Sequence, residues 1–398
     1  MKKYDFDKLV DRSSTLSYKW DVGNGILPMW VADMDFETAP AVKDAVVKRA
    51  EHGIYAYSYA PDEYFEAIAD FFEKRHGYRF DTADMIYSSG IVAAISSIVR
   101  KLTTPAEKVL IQPPVFNLFY NSVLNNGRFV VENNLVLKDG AYEIDFEDLE
   151  KKLSDPQVTL FILCNPHNPV GKVFTRDELA RMGDLCKKYG VTVLSDEIHC
   201  DFTYPKNSYT PFASVNETCR DISVSCVSPS KSFNLAGLYA SCVIAHDPLL
   251  RHRVWRGLNT DEVGEPNAFA VQACIAAYRE GGEWLDALLD YIEENKRYAA
   301  RYIEENIPAL SVPKTNATYL LWVDATALGI SSDILCERIE KEAGLKVSDG
   351  LEYGECGRYF IRINLATQKS RVKEGLERLK KAITAITGDS KNDQKKIT

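Results

Sequence analysis

Three short apolar stretches of this sequence each run into a polar motif. Val158 to Cys164 leads into Asn165-Pro-His-Asn168-Pro-Val-Gly171. Val191 to Leu194 leads into Ser195-Asp196-Glu197-Ile-His199, and Ile222 to Val227 into Ser228-Pro-Ser230-Lys231-Ser-Phe-Asn234. Taken singly, each has a plain explanation: Asn and Pro make turns, an Asp after a strand caps a helix, and a Lys is usually solvated. Together they supply a primary amine able to condense with an aldehyde, a carboxylate to balance a cationic ring nitrogen, an amide donor and several hydroxyls. An arginine in Phe360-Ile-Arg362-Ile-Asn364 adds a planar fork that matches a carboxylate.

For these residues to meet, the stretches must be strands of one sheet whose carboxyl ends share an edge, where open α/β sheets bind ligands. The pattern agrees. Strands are expected at Asp84–Tyr87, Lys108–Gln112, Val158–Cys164, Val191–Leu194 and Ile222–Val227. Their near-continuous apolar character suits a mostly parallel sheet buried on both faces. Ser88-Ser89-Gly90 precedes a helix with Ile91, Ile95, Ile98 and Leu102 on one face. Thr175 and Glu178 form a capping box for a helix that Gly190 stops. From about residue 283 a long charged helix is followed by strands at Tyr319–Val323 and Tyr359–Ile363, and a last helix carries Val372, Leu376, Leu379, Ile383 and Ile386 on one face. The expected division is a large α/β domain at 46–285, a smaller α+β unit from the loop-rich arm 1–45 together with 286–388, and a polar, frayed tail at 389–398.

The parts match what pyridoxal 5'-phosphate (PLP) chemistry requires of a protein. The motifs in this order resemble the class I/II aminotransferase superfamily of PLP fold-type-I enzymes. Met29-Trp-Val-Ala-Asp33-Met-Asp-Phe36 and Lys231-Ser-Phe-Asn234-Leu-Ala-Gly237-Leu resemble, within it, the MalY/PatB-type cystathionine β-lyases. The resemblance covers nearly the whole chain, to about Ile386, and the ordered set is far more specific than any one motif. It implies an aspartate-aminotransferase-like fold and a carbon–sulfur β-lyase that cleaves cystathionine or related cysteine S-conjugates to thiol, pyruvate and ammonia. An aminotransferase of a small amino acid is the alternative.

The resemblance also implies roles. Lys231 carries the cofactor as a Schiff base and later acts as general base. Asp196 pairs with the pyridinium, and Asn168 donates to the ring oxygen. Ser228, Ser230 and the backbone of Gly90, Ile91 and Val92 hold the phosphate. Phe116 lies over the ring, and Arg362 grips the substrate carboxylate. Tyr57 reaches the neighbouring subunit's site, which implies a homodimer with shared active sites. Two positions depart from the aminotransferase pattern. His199 stands where many have a tyrosine, so its contact with the ring oxygen competes with a packed structural role. Tyr239 stands where many have a phosphate-binding arginine.

Composition narrows the rest. The chain has 398 residues, 45% hydrophobic and 26% charged, with formal net charge -9. No basic run with interleaved aromatics is present, so nucleic acid and anionic membrane are poor partners. The apolar runs are too short to span a bilayer. The N-terminus lacks an apolar stretch behind its lysines, and the nine cysteines are scattered, so a soluble cytoplasmic protein is expected. Other readings are weaker. Ser228-Pro-Ser-Lys231 is formally the S-x-x-K of serine acyl-transfer enzymes, without its companion motifs. Asp196, Glu197, His199, Cys200 and Asp201 do not have a common metal spacing, so no metal is expected. A further role in binding a protein partner stays open.

Overall fold

The structure is a computed structural model that describes residues 4–397, with side chains through residue 388. The tail expected at 389–398 lies outside that fully described part.

Seven strands form the main sheet: β1 (Met85–Ser88), β2 (Lys108–Ile111), β3 (Phe129–Glu132), β4 (Val158–Cys164), β5 (Thr192–Asp196), β6 (Ser223–Val227) and β7 (Ser241–Ile244). Their spatial order is β1-β7-β6-β5-β4-β2-β3. All pairings are parallel except those of β7, which runs against both neighbours. The strand β7 and the edge strand β3 had no counterpart in the sequence expectation. The carboxyl ends of β1, β2, β4, β5 and β6 therefore share one edge, and all three polar motifs emerge there.

Alternation along β4 explains why its residues are apolar without a break. Leu160 and Ile162 pack into one cluster with Ile91, Ile95 and Ile98 of helix α1 (Ile91–Leu102). Phe161 and Leu163 point the other way, into a cluster with Leu179, Met182 and Cys186 of α2 (Arg176–Tyr189). Helices cover both faces, so neither set of side chains meets water. The capping box at Thr175 and Glu178 forms, and Gly190 ends α2 in the left-handed conformation.

After α3 (Gly282–Asn306) the chain builds a three-stranded antiparallel sheet, β8 (Leu320–Asp324), β9 (Ser348–Asp349) and β10 (Phe360–Asn364), with β10 in the centre. Helices α4 (Ser332–Ala343) and α5 (Lys369–Ile397) pack beside it. Val372, Leu376, Leu379, Ile383 and Ile386 are buried in that cluster, as their spacing predicts. Leu27 and Met29 of the N-terminal arm belong to it too, and Leu27–Pro28 pairs in parallel with Leu345–Lys346. The arm is shorter than expected. A helix begins at Pro40, whose fixed φ and missing N–H suit a first helical position.

Candidate active site

A cavity of about 190 Å³ opens at the shared edge. It is lined by Lys231, Asp196, Asn168, His199, Phe116 and Tyr239 together with Ser228, Ser230 and the turn Ser89–Ala93. Ten expected site residues thus meet in one space, although the chain separates them by up to 141 positions.

Lys231 lies on a short helix, Pro229–Ser232, directly after β6. Its Nζ donates to the Ala32 carbonyl at 2.7 Å. Burial, helped by the positive charge of Arg362, pulls the amine down to about 8, while Asp33 and Asp196 pull the other way. Asp196 ends β5. Burial pushes its carboxyl up to about 7, against the Ile198 N–H at 3.2 Å and the charge of Lys231. Its neighbour Glu197 points to the opposite side of the strand, where Ser195 Oγ, Tyr209 OH and the Phe212 N–H saturate it. Glu197 is thus a structural acid, whereas Asp196 is a buried acid facing a cavity with no full cationic partner.

Arg362 occupies the centre of the small sheet, opposite Ser348 and Trp322. Its Nη1 donates to Asn168 Oδ1 at 3.1 Å, and Nη2 to the Trp30 carbonyl at 2.9 Å and Ser348 Oγ at 3.3 Å. The guanidinium lies 4.8 Å from the Tyr353 ring centre, and its buried Nε has no partner. Because Arg362 can only donate, it fixes the Asn168 amide with its oxygen toward Arg362 and its NH2 turned away. His199 is buried beside Tyr319, with Nδ1 unpartnered. Burial, then the charges of Lys231, Arg362 and Lys296, hold it well below its ordinary range, so it is a neutral imidazole.

The anion-binding end differs in detail from expectation. Gly90 has φ +102, which favours glycine, and its N–H donates to Ser241 Oγ at 3.1 Å. Ser228 Oγ donates to the Ala240 carbonyl at 2.7 Å and accepts from the Ser230 N–H at 3.1 Å. Both residues line the cavity, but both groups are engaged elsewhere. The donors left for an anion are the Ser230 hydroxyl and the first N–H groups of α1, at Ile91, Val92 and Ala93, which a helix cannot satisfy internally. Tyr239 packs its ring against the Gly90 turn, so an aromatic phenol stands at this end in place of an arginine.

Tyr57 is fully exposed and does not line this cavity. Phe116 does, packed edge-on against Phe119. Sequence reasoning missed Ala32, whose carbonyl accepts from both Lys231 Nζ and Tyr319 OH (2.9 Å). It also gave no role to two asparagines that clamp the arm. Asn234 bonds Met34 and Phe36, and Asn364 bonds the carbonyls of Val31 and Asp33. Both stand within the motifs quoted above; for Asn364, a polar amide ending an apolar strand is the available signal, and Asn234 offers only its place after Lys231.

Two rival chemistries find little support here. The Ser228 hydroxyl faces Ala240 rather than the Lys231 amine, so S-x-x-K makes no nucleophile–base pair. Cys200 and Asp201 do lie with His76 in a compact group of potential metal ligands. Asp201, however, already pairs with Arg75 at 3.0 Å and accepts from Ser232, bracing the residue after Lys231.

The geometry agrees with similarity along the chain. The sequence is 43% identical to cystathionine β-lyase PatB of Bacillus subtilis, over 96% of this chain and all of that protein. Cystalysin from Treponema denticola, a structure that contains a PLP cofactor, superposes with a TM-score of 0.92 at 34% identity, covering 96% of this chain and 99% of that one. The PLP-bound C–S lyase from Staphylococcus hominis gives 0.89, also at 34% identity, with the same coverage. The model for aminotransferase class I and II matches residues 25–379, and the chain belongs to that family.

Proposed function

We propose that this protein is a PLP-dependent carbon–sulfur β-lyase that acts on cysteine S-conjugates such as cystathionine and releases a thiol, pyruvate and ammonia. One observation carries the reading: an amine and a carboxyl, Lys231 and Asp196, line one cavity beside the joined pair Asn168–Arg362. The relatives named as lyases support the choice of reaction.

The residues fit the cofactor. Asp196 is buried with its charge poorly compensated, so a cationic ring nitrogen is the partner that would let it ionise. Ser230 and the N–H groups of Ile91, Val92 and Ala93 would take the phosphate, with Tyr239 beside them. The Asn168 NH2 would meet the ring oxygen, and Phe116 would cover the ring. His199 supplies a neutral imidazole with a free nitrogen. When bound, PLP supplies an electron sink for the charge left at the substrate Cα.

The chain's own groups do the remaining work. Arg362 holds the substrate carboxylate, already oriented by Asn168, Trp30 and Ser348. Lys231, lowered to about 8, gives up its proton more readily than an ordinary lysine, and as the free amine takes the Cα proton. The exposed tyrosine at 57 is assigned to the partner's site in a cytoplasmic homodimer. Its full exposure in one chain supports that assignment, and the scattered thiols support a reducing compartment. No described helix is long and apolar enough to cross a membrane.

A panel of cysteine thioethers, assayed for thiol and pyruvate with no 2-oxo acid present, tests the function. Turnover under those conditions is expected. Turnover that requires a 2-oxo acid would make the protein an aminotransferase instead.

A further inference from the structure

Lys296 is a buried titratable group that the chemistry above does not use. It projects from α3, is 6% exposed, and has no carboxylate partner among the described residues. Its Nζ donates to the carbonyls of Ala317 at 2.6 Å and Thr318 at 2.8 Å, with Thr315 Oγ1 at 3.4 Å. The Tyr204 ring lies 5.1 Å away. Burial lowers the amine to about 7, with Glu293 drawing it back up. An ammonium held without an acid is costly, and an apolar side chain would fill the space more cheaply.

What it holds is a junction of three site loops. The N–H groups of Asn316 and Ala317 both donate to the Gly171 carbonyl, which closes the loop carrying Asn168. Gly171 has φ +68, and a Cβ there would lie 1.9 Å from Thr315 Oγ1, so only glycine allows this approach. The Thr318 N–H donates to the Phe202 carbonyl, just beyond His199. Thr318 itself sits at φ +60, a strained conformation for a β-branched residue. The next residue, Tyr319, sends its hydroxyl to the Ala32 carbonyl that also receives Lys231.

We infer that Lys296 is a positioning residue. Its amino group fastens the strained junction at Ala317 and Thr318 and, through Tyr319 and the Ala32 carbonyl, sets where the Lys231 amine rests. The inference depends on Lys231 being the cofactor lysine.

A double-mutant cycle on the PLP-loaded enzyme tests it, using Lys296→Met, Tyr319→Phe and the pair. The readouts are kcat on a cysteine thioether, the pH midpoint of the visible band of the bound cofactor, and Tm. Each single change is expected to lower kcat about ten-fold and to move the midpoint. The double variant should be within about two-fold of Lys296→Met, because both act on one chain of contacts. Multiplying losses, or a Lys296→Met enzyme with wild-type kcat and midpoint and only a lower Tm, would overturn the inference. If Lys296→Met does not fold, Lys296→Gln, which keeps an N–H donor, enters the same cycle. A wild-type protein with no cofactor band would instead refute the reading of Lys231, a separate outcome.

Discussion

Two polar clusters share the arm segment Met29–Phe36, and they are built in opposite ways. On the outer side, Asp35 is buried and bonded to Lys19, Trp20 Nε1 and Arg12, each at 2.8 Å. Arg12 also pairs with Asp33 at 2.8 Å. Burial alone would raise the Asp35 carboxyl, but Lys19, Trp20 and Arg12 hold it below its ordinary range. On the inner side, Asp196 and His199 are as buried as Asp35 and Lys231 is half-buried, yet desolvation governs all three and each is shifted toward its neutral form. Arg362 Nε and His199 Nδ1 have no partner at all. The first cluster is complete and serves folding. The second lacks partners that a ligand would bring, which marks a site.

Substitutions in the two clusters should therefore separate stability from activity. Lys231→Ala is expected to lower kcat/KM by about 10⁴-fold while the apo protein's Tm holds or rises, since a poorly compensated buried amine is gone. A marked fall in Tm would erase the distinction. Asp35→Asn should do the reverse. Leaving the buried Lys19 with only the longer contact to Asp33, at 3.5 Å, costs about 3 kcal/mol, seen in chemical denaturation, with kcat of the folded enzyme near wild type. Because that carboxyl is lowered in the fold, its stabilisation is present at neutral pH and is lost only in acid, as pH falls through the lowered value.

Arg362→Lys keeps the charge but loses the fork. KM for a cysteine thioether should rise about a hundred-fold, with cofactor affinity little changed. Asp196 offers a sharper test through pH. Its folded value is raised to about 7 from 3.8, so without cofactor the fold prefers the neutral acid and loses stability as pH rises from about 4 to about 7. A cationic ring nitrogen would remove that penalty. The gain in Tm on adding PLP should grow over this range in wild type and stay flat in Asp196→Asn. The smallest effect is expected from Tyr239→Phe, about a three-fold loss of PLP affinity by titration, since one neutral hydrogen bond is at stake.

The inner cluster was the more legible of the two in sequence. Lys231, Asp196 and Asn168 each follow an apolar strand, and their chemistry demands a residue type, so motif and position coincide. Arg362 was legible for the same reason, on the central strand of the small sheet. What stayed hidden acts through backbone or through distant contacts. The Ala32 carbonyl meets Lys231 across 199 positions, and alanine carries no chemical signature. Lys296 looks like any lysine on a charged helix until its burial is seen. The engagement of Gly90 and Ser228 by Ser241 and Ala240 depends on β7, a four-residue antiparallel strand with no periodicity to announce it. The helix from Pro40 stayed hidden too, because its apolar spacing is weak and only Val42 is buried.

The central claim is that one amine, at position 231, bonds covalently to PLP. Borohydride reduction of the PLP-loaded protein, followed by peptide mapping, tests it most directly. The account predicts a single pyridoxyl group on the peptide containing Lys231. Label on Lys296 or another lysine, or a protein that stays colourless and unlabelled with PLP in excess, would contradict it.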